Sequence, residues 1–236
     1  MDGAATFMDS RLDARYSLWI ESFQVYALVR SPIKPRAGLA NLDALSFVGY
    51  LGRMTAGPKA SVLETPRLIL RRFSLEDAAF VFGLVNDPAW LEHIGDRKVR
   101  TLEDARAYLR RGALAMYETM GFGMYVVTLK ESGEAIGTCG LVKRDGLDDV
   151  DIGFAFLPQY RGQGFASESA AAVLGHARAL GLKRVVAIVS AANHRSIRLL
   201  ERIGLTFERM VKLPGDNEEI PLYAYQCDDA SSGRSA

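Results

Sequence analysis

The chain has 236 residues, 49% hydrophobic and 24% charged, a balance that excludes a disordered chain or a collagen-like fibre and leaves room for one large domain or two small ones. Lys and Arg number 29 against 28 Asp and Glu, a formal net charge of +1 that argues against a strongly basic nucleic-acid binder. Two cysteines (Cys139 and Cys227, no CxxC) and three scattered histidines (His93, His176 and His194) point away from a metal site or disulfide framework and toward a reducing, cytoplasmic setting.

From the N-terminus, no stretch reaches the roughly 20 apolar residues that a membrane span requires. The best candidate, residues 17–29, carries Glu21 and Gln24, and Asp2, Asp9 and Asp13 stand where a signal peptide wants positive charge. No membrane association is expected. Residues 1–60 mix apolar runs with Ser31-Pro32-Ile33-Lys34-Pro35-Arg36, and neither helical nor strand period persists. Met54 is followed by linker-like Thr55-Ala56-Gly57-Pro58-Lys59. This extension is either an accessory segment or, the reading its composition favours, lies upstream of a true start at Met54.

From residue 61 the patterning is regular. A strand is expected over residues 68–73, then a helix over 75–85 with Ser74 as N-cap and Asp77 at the capping-box position. Asn86-Asp87-Pro88 stops it. Thr101 opens a second helix, whose apolar stripe (Leu102, Ala105, Leu109, Leu114, Tyr117) runs to Gly121. Strands follow at 124–129 and 136–142, joined by a hairpin containing Gly133, and at 150–156. A helix over 166–180 ends at Gly181, a β-branched strand covers 184–189, and a helix over 193–203 ends at Gly204. Strands at 207–213 and 220–226 close the domain, leaving a short tail at 227–236. The pattern predicts a single α/β (α+β) domain over 61–226, with a mixed, mostly antiparallel sheet, flanking helices and one βαβ crossover.

The turn Gln159-Tyr160-Arg161-Gly162-Gln163-Gly164-Phe165-Ala166 sits between a strand and a helix. Its glycines allow close backbone approach to a ligand, and the following helix aims unpaired N–H groups at the turn. That arrangement suits a phosphate, although two glycines can also simply make a turn. A Walker loop is excluded because no Gly-Lys-Ser/Thr ending is present. A Rossmann fingerprint is weakened: Ser167 takes the third glycine position and Lys183-Arg184 lie where an acidic residue is expected, though an NADP variant stays open. The third class is the pyrophosphate loop of acetyl-CoA-dependent N-acetyltransferases.

Arg161-Gly162-Gln163-Gly164-Phe165-Ala166 resembles the R/Q-x-x-G-x-G/A motif of the GNAT superfamily. Thr65-Pro66-Arg67-Leu68-Ile69-Leu70-Arg71 resembles the T-x-R-L-x-L-R opening of its RimJ/RimL-type branch. Ile136-Gly137-Thr138-Cys139-Gly140-Leu141, Asp151-Ile152-Gly153-Phe154 and Asn193-His194-Arg195-Ser196 with Leu199-Leu200-Glu201-Arg202-Ile203-Gly204 are similar to three further family segments, in order. The resemblance spans residues 61–226 and implies an acyltransferase that moves an acetyl group directly to a primary amine, with acetyl-CoA as co-substrate and no metal.

The resemblance also implies the site. Gly162, Gln163, Gly164, Phe165 and Ala166 would hold the pyrophosphate through backbone amides, and Arg161 would add charge to it or to the 3′-phosphate. Glu168 is expected to face away from the phosphates. The strand bearing Phe154 and Phe156 would splay from the next strand and pair with the pantetheine arm, one of its amides serving as oxyanion donor. Asp151 aligns with the acidic position that deprotonates the ammonium, one methylene shorter than the usual glutamate, which favours a water relay. Asn193 would bond the pantetheine chain while capping its helix. Ser196 would protonate the departing thiolate, because the tyrosine used elsewhere in the superfamily is replaced by Leu200.

The acceptor is less specified. Trp90, His93 and Tyr125 are candidates to line its side of the cleft, for a peptide N-terminus or a small-molecule amine. A homodimer stays open. Two alternatives remain: a non-catalytic acetyl-CoA sensor, separable by the absence of thiol release, and an NADP-binding Rossmann protein, separable by nucleotide competition.

Overall fold

The computed structural model describes residues 61–215 and 218–227. The expected start at Met54 and the tail after Cys227 lie outside those residues. Eight strands form one sheet in the order β1-β2-β3-β4-β5-β6-β8-β7: β1 (Ser61–Glu64), β2 (Leu68–Arg72), β3 (Met124–Leu129), β4 (Ala135–Lys143), β5 (Val150–Phe156), β6 (Arg184–Ile188), β7 (Thr206–Val211) and β8 (Ile220–Gln226). All neighbours are antiparallel except β5 and β6. Those two are joined by the expected crossover, which carries a long helix, because parallel neighbours cannot be linked by a tight turn. The mixed, mostly antiparallel sheet matches the expected fold class.

Local signals explain most boundaries. Ser74 and Asp77 form a reciprocal capping box over a 3₁₀ turn (Leu75–Asp77) that leads into α1 (Ala78–Val85). Beyond α2 (Pro88–His93), Thr101 and Asp104 form a second box at the start of α3 (Leu102–Leu109). Its course widens into one π turn (Arg110–Leu114) and continues as α4 (Ala115–Met120), ended by Gly121 at φ 77°. Helix α2 (Pro88–His93) was not expected. Asn86-Asp87-Pro88 reads as a stop, yet Asp87 also caps the next helix, accepting from the Ala89 and Trp90 amides, with Pro88 at the first helical position. Strand β1 also escapes the pattern because its four residues show no alternation.

The core lies along the middle strands. Leu68 and Leu70 alternate inward on β2, while β4 is buried along nearly its whole length. Helix α5 (Phe165–Ala179) packs across β1, β2, β4 and β5 through a stripe of Phe165, Ser169, Ala170, Val173, Leu174 and Ala177. Helix α6 (His194–Arg202) buries Leu200 and is capped by Asn193.

Candidate functional site

Parallel pairing between β5 and β6 lasts for two rungs, Val150 with Val185 and Asp151 with Val186. Beyond them β5 stays bonded to β4 as far as Phe156, and β6 follows β8 to Ile188. The strands diverge, and residues 152–156 face the gap with one edge that has no strand partner among the described residues. Gly153, Phe154 and Ala155 are half-buried there, while Phe156 turns inward. An extended chain carrying amide groups could take the place of the missing strand.

At the end of this edge the chain makes a 3₁₀ turn (Pro158–Tyr160) and enters the glycine loop. Gly162 and Gly164 have φ of 77° and 83°, a conformation that favours glycine. The backbone N–H groups of Gly162, Gln163, Gly164, Phe165 and Ala166 donate to no acceptor among the described residues. They therefore gather at the N-terminus of the 15-residue helix α5, with the positive end of its dipole behind them. This geometry fits a diphosphate, and the free edge above it fits a pantetheine arm.

Two arginines hold the loop in shape. Arg67 donates its backbone N–H to Glu168 Oε1 (2.9 Å), its Nε to Oε2 (2.7 Å) and one terminal nitrogen to the Gln163 carbonyl (3.1 Å). Its guanidinium lies 4.4 Å from the Phe165 ring centre, and Thr65 Oγ1 donates to Glu168 Oε1 at 2.6 Å. Burial alone would raise the Glu168 carboxyl, but the Thr65 and Arg67 donors outweigh it and hold the group below its ordinary range. The Thr65-Pro66-Arg67 motif is thus a clamp on the loop, and Glu168 is spent on that clamp. Arg161 also looks inward: its Nε donates to the Phe156 carbonyl at 2.8 Å and its terminal nitrogen pairs with Asp87. The guanidinium expected on a phosphate is engaged here, so the loop's own amides are the groups left to meet the ligand.

Asp151 stands where the strands part. It is 1% exposed; Oδ2 accepts from Arg144 Nε, and Oδ1 is buried without a hydrogen-bond partner among the described residues. Burial pushes its carboxyl up, against the opposing pull of Arg144 and of the Ile188 amide. Arg144 is a partner that sequence spacing did not single out, since its contact crosses from the loop after β4. Asn193 Oδ1 accepts from the Ser196 amide at 3.1 Å, and its carboxamide nitrogen donates to no acceptor among the described residues. Ser196, on the first turn of α6, is half-buried, and Leu200 is enclosed in the core.

Of the residues expected on the acceptor side, Trp90 and His93 both lie on α2, half-buried, and the Trp90 indole nitrogen is buried without a partner among the described residues. Tyr125 is in a different position. Its ring stacks on Tyr117 at 5.9 Å and its hydroxyl lies 3.3 Å from His176 Nε2, the geometry of a core residue. His176 is depressed by burial. Cys139 is fully buried, its thiol pushed up to about 12 by burial, so it holds no reactive thiolate. Among the described residues no helix is long and apolar enough to cross a membrane, and no group of three or more His, Cys, Asp or Glu could share a metal ion.

A family model described as "Acetyltransferase (GNAT) domain" matches residues 67–206. The Bacillus subtilis protein YnaD, an uncharacterized N-acetyltransferase, is 30% identical over 166 residues, covering 69% of this chain and 94% of its own. A crystal structure of an acetyltransferase from Agrobacterium tumefaciens is 27% identical with a TM-score of 0.61, covering 70% of this chain and 93% of that one. The fold is shared, at 21% identity and a TM-score of 0.59, with a Salmonella typhimurium acetyltransferase that modifies the N-terminal serine of ribosomal protein L7/L12, over 70% of this chain and 97% of that one. An open parallel seam, an amide-lined glycine loop and these likenesses agree: the chain belongs to the GNAT family of acetyl-CoA-dependent N-acetyltransferases.

Proposed function

We propose that residues 61–226 transfer an acetyl group from acetyl-CoA directly to a primary amine in a ternary complex, the amine being a protein N-terminus or a small molecule in the cytoplasm. The observation that carries this reading is the two-rung seam between β5 and β6, which leaves a free strand edge that runs on through one turn into the loop amides. Bound acetyl-CoA supplies the activated acyl carbon.

The remaining work falls to the chain. The amides of residues 162–166 bind the diphosphate, while Asn193 and the edge at Phe154 and Phe156 orient the arm. One β5 amide faces the acyl oxygen, a donor worth about 10²–10³ in rate. Asp151 accepts the ammonium proton through a water; its raised affinity for a proton makes it a better base than an exposed aspartate. The amine nitrogen then bonds to the acyl carbon, and the carbon–sulfur bond breaks as that nitrogen releases its second proton to solvent. Ser196 passes its hydroxyl proton to the departing sulfur and is itself reprotonated from solvent. The buried, protonated Cys139 supports direct transfer without a cysteine-bound acyl group.

Trp90 and His93 line the acceptor side, with Tyr125 supporting the sheet beneath. The fold shared with the Salmonella typhimurium enzyme favours an N-terminal amine as acceptor and a place in the RimJ/RimL-type branch. The test is calorimetry with CoA, followed by thiol-release assays over N-terminal peptides, polyamines and aminoglycosides. Loop binding of CoA with turnover of one amine class is expected; no CoA affinity would end the reading.

A further inference from the structure

Helix α2 carries two acceptor-side residues, yet none of its own residues is fully buried. A six-residue helix held so lightly depends on its ends. Its N-terminus is held by Asp87, which is 8% exposed. One oxygen of that carboxylate, Oδ1, accepts from Ala89 N at 3.1 Å, from Trp90 N at 3.4 Å and from the Arg161 guanidinium. The same guanidinium donates to the carbonyl of Phe156, the last residue of the free strand edge. Arg161 is also the first residue of the glycine loop. One ion pair, spanning 74 positions of sequence, therefore ties the cap of α2 to both walls of the cofactor site.

We infer that Asp87 is a positioning residue that couples the cofactor loop to the acceptor-side helix. Binding at the loop fixes the backbone of residues 161–164 and with it the guanidinium of Arg161. A fixed guanidinium holds Asp87, and Asp87 holds the first-turn amides of α2 and so the seat of Trp90 and His93. By linkage the effect is reciprocal, so an acceptor on α2 tightens the cofactor loop by the same factor. The inference rests on the proposed binding of CoA at the glycine loop.

Amide hydrogen exchange of the full-length protein over residues 86–94, with and without saturating CoA, tests the coupling. Exchange in the first turn of α2 is expected to slow about fivefold or more on CoA binding, the lower end of ordinary coupling factors. In Asp87→Asn and Asp87→Ser, both good helix caps, the helix can still form while the ion pair is gone. CoA is expected to bind these variants within about threefold of the parent affinity by calorimetry, but without slowing exchange in α2. Trp90 fluorescence in a Trp19→Phe background gives a parallel readout: a CoA-dependent change in the parent that Asp87→Asn abolishes. CoA that binds the parent without altering α2 exchange or Trp90 emission overturns the inference, as does an undiminished response in both variants. Because the first measurement uses the parent protein, it decides the matter even if a variant fails to fold. Absence of CoA binding to the parent would instead strike the functional reading itself.

Discussion

Replacing Asp151 with asparagine keeps the size of the side chain and removes the proposed base. The carboxylate sits 1% exposed, paired with Arg144 through one oxygen, with the other oxygen buried and unpartnered among the described residues. General-base assistance is worth about 10²–10⁴. The ion pair and the relay both weaken proton capture, so the loss should fall at the lower end, about 100-fold in kcat/KM near neutral pH, or about 2.7 kcal/mol. Initial rates of thiol release across pH measure it. The deficit should shrink as pH rises toward the pKa of the amine, because the neutral nucleophile then forms in solution. It should also be smaller for peptide N-termini, with pKa about 7.7–8.0, than for lysine-like amines near 10.4. A rate within threefold of wild type with a lysine-like amine, or a deficit that stays constant across pH, would refute the assignment. Stability offers an independent sign. A carboxyl whose folded pKa is raised above 3.8 contributes stability that is complete below that pH and fades as pH rises through the folded value. The stability advantage of wild type over D151N should therefore narrow with increasing pH, and a widening gap in denaturant unfolding would contradict the burial argument.

Ser196→Ala should lower kcat about tenfold, a modest effect because a thiol of pKa about 8.5 departs tolerably well unaided; an unchanged kcat would return Ser196 to the helix surface. Cys139→Ser should leave kcat within twofold, and native protein should resist thiol alkylation until unfolded, since the group is buried and protonated. Glu168→Gln should cost about 1 kcal/mol, the Arg67 partner being half exposed, and should flatten the loss of stability in acid. In wild type that contribution is present above 4.5 and fades as pH falls through the lowered folded value, so equal acid sensitivity in the variant would discredit the clamp. Gly140→Ala should destabilise by about 1–3 kcal/mol or block folding, because the new methyl would lie 2.3 Å from the Gly123 carbonyl; unaltered thermal unfolding would contradict that packing.

Strands β3, β5 and β8 were legible to the residue because apolar runs and turn residues bracket them. Capping boxes at Ser74 and Thr101 announced their helices for the same reason: their chemistry is local in sequence. Helix α2 escaped because one carboxylate serves two roles, closing one segment and opening the next. The glycine loop announced a ligand, yet what shapes it did not show. Arg67 and Glu168 lie 101 positions apart and Arg161 and Asp87 lie 74 apart, so no spacing rule joins either pair. Arg144, only seven positions from Asp151, was hidden because the loop between β4 and β5 decides where its side chain lies, and the placement of Tyr125 turned on which way β3 faces a helix 51 residues later in the chain.

The brevity of the β5–β6 pairing has a mechanical meaning. Seven rungs bind β5 to β4 and five bind β6 to β8, but only two rungs of backbone pairing join those ribbons to each other, the rest of their contact being side-chain packing and the crossover helix. A molecule bonding along the open edge acts as a removable rung, mending the sheet where it is thinnest. Occupancy should then protect amides on both ribbons at once, and at a ligand concentration 100 times its Kd it adds about 2.7 kcal/mol to the folded state. The place where the chain leaves its hydrogen bonding unfinished is thus also where a substrate can contribute most to holding the protein together.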